Sequence, residues 1–198
     1  IIDSASIVGG IAIQGRASLG GNLCNSAPSG DTIPSLAAAG AIAIIAGPSG
    51  RREVPVGEFC TGPGQNCLMP NELLVAIRLP APKPRSGGHY LRFIPRNEMD
   101  IAVAGAGAWV ALDEHGVVTE ARVVLASVAP VPLAVPEAAA AVVGTHGDEA
   151  ALEAASAAAK AAARPITDMR GTADQRRHLS GVMAKRALAG AKIGRAHV

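Results

Sequence analysis

Two long apolar runs, residues 101–112 and 117–129, are parted only by Asp113-Glu114-His115-Gly116. Runs rich in small and β-branched residues flanking a short acidic, glycine-ended turn are the signature of a β-hairpin. The chain that follows reads as helices to back it. Pro136 suits a first helical position, with Gly144 beyond the end. Asp148 caps an alanine-rich helix reaching about Ala163. Thr172 and Gln175 form a capping box ahead of Leu179, Val182, Met183 and Ala187 at helical spacing. The C-terminal half is therefore predicted to be a small antiparallel sheet packed with helices. Only Phe59, Tyr90, Phe93 and Trp109 are aromatic, so the core must be mostly Ala, Val, Leu and Ile.

The N-terminal half has a different pattern. Residues 7–13 are apolar but broken by Gly9-Gly10, which predicts a short helix or turn. Residues 33–39 predict a helix. Residues 41–46 and 51–56 flank Gly47-Pro48-Ser49-Gly50, a strong turn signal, and predict a second hairpin. The glycines and proline of residues 57–67 predict a loop, residues 73–79 a strand, and residues 90–93 another. Residues 81–88 are the clearest linker, rich in Pro, Gly and charge. The expected division is thus residues 1–80, a linker 81–88, and residues 89–192. Residues 193–198 resemble a translated sequencing adapter and are expected to form a tail outside the fold.

Composition narrows the function. The net charge is +2 with basic residues scattered, and no basic stripe interleaves with aromatics, which argues against a nucleic-acid partner. The longest apolar runs, 36–46 and 101–112, fall short of the ~20 residues of a membrane span. No charged and apolar leader opens the chain, so a cytoplasmic protein is expected. Cys24, Cys60 and Cys67 fit no common zinc or iron–sulfur spacing, and their odd number argues against a disulfide framework, leaving free thiols. The five histidines pair with no cysteine or carboxylate at ligand spacing, so no metal site and no hydrolytic constellation is expected. Gly105-Ala106-Gly107 opens a nucleotide fingerprint, but Val110 stands where its third glycine belongs. A nicotinamide-dependent Rossmann enzyme is therefore a weak reading. These glycines instead thin a packed strand.

The stretch Ala17-Ser18-Leu19-Gly20-Gly21-Asn22, followed by Ser26-Ala27-Pro28-Ser29-Gly30-Asp31, has more to offer. Adjacent glycines allow a tight turn and close ligand approach. Ser18 and Asn22 add side-chain donors, and successive backbone N–H groups can line an anion-binding concavity. The segment reads either as an ordinary glycine turn or as a phosphate cradle. As a cradle it would be a loop running into a helix, with the Gly20, Gly21 and Asn22 amides converging.

The same stretch resembles the second flavin-binding segment of the medium subunit in the xanthine dehydrogenase and carbon monoxide dehydrogenase family. Three later segments are similar to that family in the right order. They are Pro70-Asn71-Glu72-Leu73-Leu74-Val75-Ala76-Ile77, then Tyr90-Leu91-Arg92 with Arg96 and Asp100-Ile101-Ala102, then Ala163-Arg164-Pro165-Ile166-Thr167-Asp168-Met169-Arg170-Gly171 with Arg176-Arg177-His178-Leu179. The resemblance enters the family pattern partway and includes no second glycine-rich flavin loop, so an N-terminally truncated chain is expected, with FAD bound weakly unless the sequence is extended upstream.

The resemblance implies an α+β fold: the C-terminal part of a PCMH-type FAD-binding domain, followed by an antiparallel sheet packed with helices. It implies a flavoprotein electron-transfer subunit that takes electrons from a partner's [2Fe-2S] clusters onto FAD and passes them to NAD, a quinone or oxygen. A molybdenum cofactor on a large subunit would oxidise the substrate, making the assembly a hetero-oligomer. By resemblance, Ser18 and the amides of Gly20, Gly21 and Asn22 hold the pyrophosphate or ribityl chain. Asp31 meets a sugar or ribityl hydroxyl. Leu74 packs on the isoalloxazine. Arg92, a lysine in most relatives, stabilises the reduced ring from a strand surface. Tyr90 shares a strand face with Arg92, for stacking or for the core. The rival from another class is an interaction module that has lost its flavin.

Overall fold

The computed structural model describes residues 1–96 and 99–193. Short helices α1 (Ile2–Ser6) and α2 (Ile11–Gln14) precede α3 (Leu19–Asn25) and α4 (Thr32–Ala38). Strand β1 (Ile42–Gly47) pairs antiparallel with β2 (Gly50–Pro55) through the expected turn. Helix α5 (Val56–Phe59) and the small hairpin β3 (Cys60–Gly62) and β4 (Gln65–Asn66) follow. Strand β5 (Leu73–Arg78) then closes a sheet of order β2-β1-β5. The second sheet has order β6-β7-β8-β9. Its strands are β6 (Ser86–Phe93), β7 (Ala104–Leu112), β8 (Val118–Ala126) and β9 (Leu133–Ala134). Helices α6 (Pro136–Ala140), α7 (Glu149–Ala162) and α8 (Ala173–Ile193) complete the chain.

The β7–β8 hairpin forms where its turn predicts. The Asp113 carboxylate accepts the N–H groups of His115 at 2.9 Å and Val117 at 2.8 Å, fixing the reversal. The residues of β7 then divide between two layers. Ala104, Ala106, Ala108 and Val110 join a core with Ala151, Ala155 and Ala159, the inward stripe of α7, and with Met183, Ala184, Ala187 and Leu188 of α8. Gly105 and Gly107 face the other way. A Cβ on Gly107 would stand 2.8 Å from the Pro34 carbonyl oxygen, so α4 lies directly on this strand. Both faces of the sheet are covered, which is why β7 reads as a continuous apolar run rather than an alternating one. The core is built of small aliphatic side chains, as the scarcity of aromatics requires. A Cβ on Gly181 would meet Ser156 Oγ at 2.8 Å, so α7 and α8 nearly touch there.

Several expectations are corrected. Residues 57–67 are not a loop, because Phe59 and Val56 are fully buried and fold the segment onto the first core. Ser86, Gly87 and Gly88 are not linker but the start of β6, paired with Ala111, Val110 and Trp109. A Cβ on Gly88 would lie 3.3 Å from the Ala108 carbonyl oxygen, a tight fit. Of the capping box, the Thr172 hydroxyl accepts the Gln175 N–H at 3.2 Å. Of the expected tail, Ile193 ends α8 and residues 194–198 lie outside the described residues. No helix among the described residues is long and apolar enough to cross a membrane.

Candidate functional site

Ser18 enters α3 in extended backbone, and its hydroxyl accepts the Gly21 N–H at 3.0 Å. That is an N-cap, the strongest local use of a serine at this point. Gly20, Gly21 and Asn22 therefore occupy the first turn of a helix rather than a loop. The Gly21 amide is spent on Ser18 Oγ, and the Asn22 amide donates to the Ser18 carbonyl at 2.9 Å. The three amides do not form a nest, because no residue from 17 to 25 takes the left-handed conformation that a nest requires. The first-turn groups without an intrahelical partner are those of Leu19 and Gly20. Gly20 faces Leu74: a Cβ there would stand at ordinary contact distance, 3.6 Å from Leu74 Cδ2. Leu74 itself is half-buried on β5 and packs against the first core.

Asn22 turns its carbonyl oxygen towards α4, where the Thr32 hydroxyl donates to it at 2.6 Å. Ser18, Leu19, Asn22 and Thr32, with Ala5 and Gln14, line a cavity of about 170 Å³. The neighbouring Asp31 stands at the cap position of α4 but with helical backbone, φ −64° and ψ −33°, and caps nothing. Its carboxylate instead accepts the Tyr90 hydroxyl at 2.8 Å and the Arg92 guanidinium at 2.5 Å. Arg92 is thus a buried ion-pair partner, not the exposed strand residue expected from sequence. Burial pushes the Asp31 carboxyl above the usual carboxylate range, against the downward pull of Tyr90 and Arg92. Burial, followed by the nearby carboxylate, pushes the Tyr90 hydroxyl well above its ordinary value. Tyr90 takes the core role of its two alternatives.

Two further motif segments make structural ties. Glu72 accepts Arg52 Nε and Nη2, both at 2.7 Å, and the Met69 N–H at 2.8 Å, tying the start of β5 to β2. Arg176 is buried and donates to the carbonyls of Val103 at 2.9 Å and Ser127 at 3.3 Å and to Asp168 at 2.6 Å. It anchors α8 to the ends of β7 and β8. Neither partnership leaves a trace in the spacing of the chain. The free cysteines, far apart in sequence, come together around β3 and β4. Burial pushes the Cys24 and Cys60 thiols up, and neighbouring thiols push the same way. Among the described residues, no three His, Cys, Asp or Glu side chains are grouped to hold a metal ion.

A family model described as the FAD binding domain in molybdopterin dehydrogenase matches residues 3–82. A second, described as the CO dehydrogenase flavoprotein C-terminal domain, matches residues 89–191. The chain belongs to the FAD-binding medium-subunit family of the CO and xanthine dehydrogenases. It is 34% identical over 192 residues to the carbon monoxide dehydrogenase medium chain of Afipia carboxidovorans, covering 97% of this chain and 66% of that protein. It is 32% identical over 186 residues to the xanthine dehydrogenase FAD-binding subunit of Escherichia coli O157:H7, covering 93% of this chain and 63% of that one. The chain thus spans just under two thirds of the length of these relatives. The solved carbon monoxide dehydrogenase of Hydrogenophaga pseudoflava superposes with a TM-score of 0.91 at 33% identity, over 98% of this chain and 66% of that one. Quinoline 2-oxidoreductase of Pseudomonas putida gives 0.88 at 25% identity, over 98% and 67%. The α+β architecture with antiparallel sheets is the architecture of this family.

Proposed function

We propose that the chain is the flavin-holding part of an electron-transfer subunit of a molybdenum hydroxylase. In this reading, electrons arrive from iron–sulfur clusters on a small subunit, the molybdenum cofactor sits on a large subunit, and an external acceptor takes the electrons from FAD. The observation that carries it is contiguity. Ser18 caps the turn holding Gly20, Gly21 and Asn22; Leu74 abuts Gly20; Asn22 bonds Thr32; and the adjoining Asp31 holds Arg92. This run of neighbouring contacts through the seven residues expected to hold flavin supports the reading.

The chemistry of this donor set fits FAD. The free N–H groups of Leu19 and Gly20, the Ser18 hydroxyl and the Asn22 side-chain NH2 suit the oxygens of a diphosphate or ribityl chain. Asp31 can only accept, so a ribityl or ribose hydroxyl is its partner rather than a phosphate. Leu74 would cover part of the ring. Arg92 would act on it as one end of an ion pair, a weaker influence on its potential than an unpaired cation. FAD, when bound, supplies the one- and two-electron chemistry that no side chain of this site provides. The names of the relatives, which include a nicotinate dehydrogenase FAD-subunit, support the subunit role and a hetero-oligomer. Three free thiols support a reducing, cytoplasmic compartment. The division into two halves belongs at the exposed residues 79–85, ahead of β6.

A second reading, an interaction module without flavin, is favoured by the amides of Gly21 and Asn22 being already engaged within α3. Titrating FAD against the chain, and against a version extended upstream, separates the two by quenching of flavin fluorescence. The extended chain should bind tightly and the present one weakly, with both weakened by Asp31→Asn and Ser18→Ala. Absence of binding by either chain would replace the flavoprotein reading with the interaction module.

A further inference from the structure

A cavity of about 460 Å³ lies away from the flavin residues, between β8, α6 and helices α4 and α5. Its size is that of a small-molecule pocket, and none of the seven flavin-site residues lines it. The walls are apolar, including Ala37, Val124, Val135, Pro136 and Ala139. Arg122 is the one charged side chain among the described residues that line it.

The state of that arginine points to a ligand. Arg122 lies over the Trp109 ring, 4.2 Å from its centroid, across the β7–β8 pairing. Its Nε is buried with no hydrogen-bond partner among the described residues. Glu120, two residues away on the same strand face, is committed to Lys83. Room for the guanidinium is built in: Gly40 has φ +75°, and a Cβ there would collide with Arg122 Nη1 at 2.8 Å. A guanidinium stacked over an indole, in no ion pair among the described residues and at the edge of an apolar pocket, is the complement of a carboxylate on a hydrocarbon body.

We propose that this cavity binds a small apolar carboxylic acid, with its carboxylate on Arg122 and its hydrocarbon body among Val124, Val135, Pro136 and Ala139. The site is independent of the flavin reading and would stand in either of the two functions above.

Trp109 is the sole tryptophan, so its fluorescence reports directly on the group beneath Arg122. Octanoate is titrated against the 198-residue chain, with calorimetry alongside. A saturable one-site response is expected. Octan-1-ol, which keeps the tail but not the charge, should bind at least about tenfold more weakly, the scale of a hydrogen bond to a charged group. Arg122→Gln should show a similar loss. Ala134→Phe, which fills the cavity and leaves Arg122 in place, should abolish binding, with circular dichroism melts reporting that each variant folds. If Arg122→Gln does not fold, the octanol comparison on the unsubstituted chain decides. The proposal is overturned by no saturable response to octanoate, by equal binding of octanol, or by unchanged binding to folded Ala134→Phe, which would place the acid in another cavity.

Discussion

Arg92 Nη1 stands 2.5 Å from Asp31 Oδ2, with each side chain only 8% exposed. The pair joins the turn before α4 to strand β6, and Tyr90 completes it from the same strand face. Two residues that the family resemblance assigns to a cofactor thereby make a polar tie between the halves of the protein. Such a pair specifies how the halves meet more than it stabilises them, because burying both charges costs much of what their attraction returns.

Removing one partner is a different matter. Arg92→Met should destabilise the fold by about 3 kcal/mol, since Asp31 is left buried without its cation. Urea unfolding should show a lower midpoint at unchanged slope. Part of the loss should return at acid pH: a buried carboxyl whose folded pKa lies above its unfolded value takes up a proton on folding, so its stabilising contribution is complete below the unfolded pKa and falls away as pH rises. Stability like that of the parent at neutral pH would show that the pair contributes nothing.

Gly107 is set against backbone, not side chain. An added Cβ would lie 2.8 Å from the Pro34 carbonyl oxygen and 3.1 Å from the Ser35 nitrogen. Gly107→Ala should therefore push α4 from the sheet and cost about 1–3 kcal/mol. The same substitution at Gly64 meets no neighbouring atom, although its φ of +69° carries strain of its own. Comparing the two melts separates crowding from strain, with the greater loss expected at Gly107.

Arg176 should be among the least replaceable residues of the C-terminal half. Arg176→Ala strands the Val103 and Ser127 carbonyls and the Asp168 carboxylate together. A loss of about 3 kcal/mol follows from breaking a buried charge network. For a chain of this length that is roughly 6–12 °C in melting temperature. Arg176→Lys should recover only part, because one ammonium cannot span three acceptors as a guanidinium does.

Acid should loosen the first sheet. Hydrogen bonds from Arg52 and the Met69 amide hold the Glu72 carboxyl down to about 2, against an ordinary value of 4.5. A depressed carboxyl stabilises fully above its unfolded pKa and loses that contribution as pH falls through the folded one. The melting temperature should therefore fall between pH 4.5 and about 2, with Glu72→Gln flattening that part of the profile. An unchanged profile in Glu72→Gln would assign the acid transition to other carboxylates.

Local chemistry was sufficient to read much of this protein. The Asp113 turn, the Asp148 cap and the Gly47–Gly50 reversal each form from residues a few positions apart, so sequence alone determined two hairpins and the backing helices. It also determined the family, because four ordered segments carry the resemblance. What it could not determine is what each motif residue touches. The segment from Ser18 to Asn22 had two readings, a glycine turn or a phosphate cradle, and its continuation into α3 makes it a capped first helical turn. Asp31 has the place of a helix cap, yet its partners lie on β6, reached only when α4 packs across Gly107. Arg122 looks like any surface arginine until β7 brings Trp109 beneath it and Gly40 opens space beside it. Turns and caps follow from neighbours in the chain; burial, ion pairing and an unmet donor follow from neighbours in space, which only the packing of the two sheets supplies.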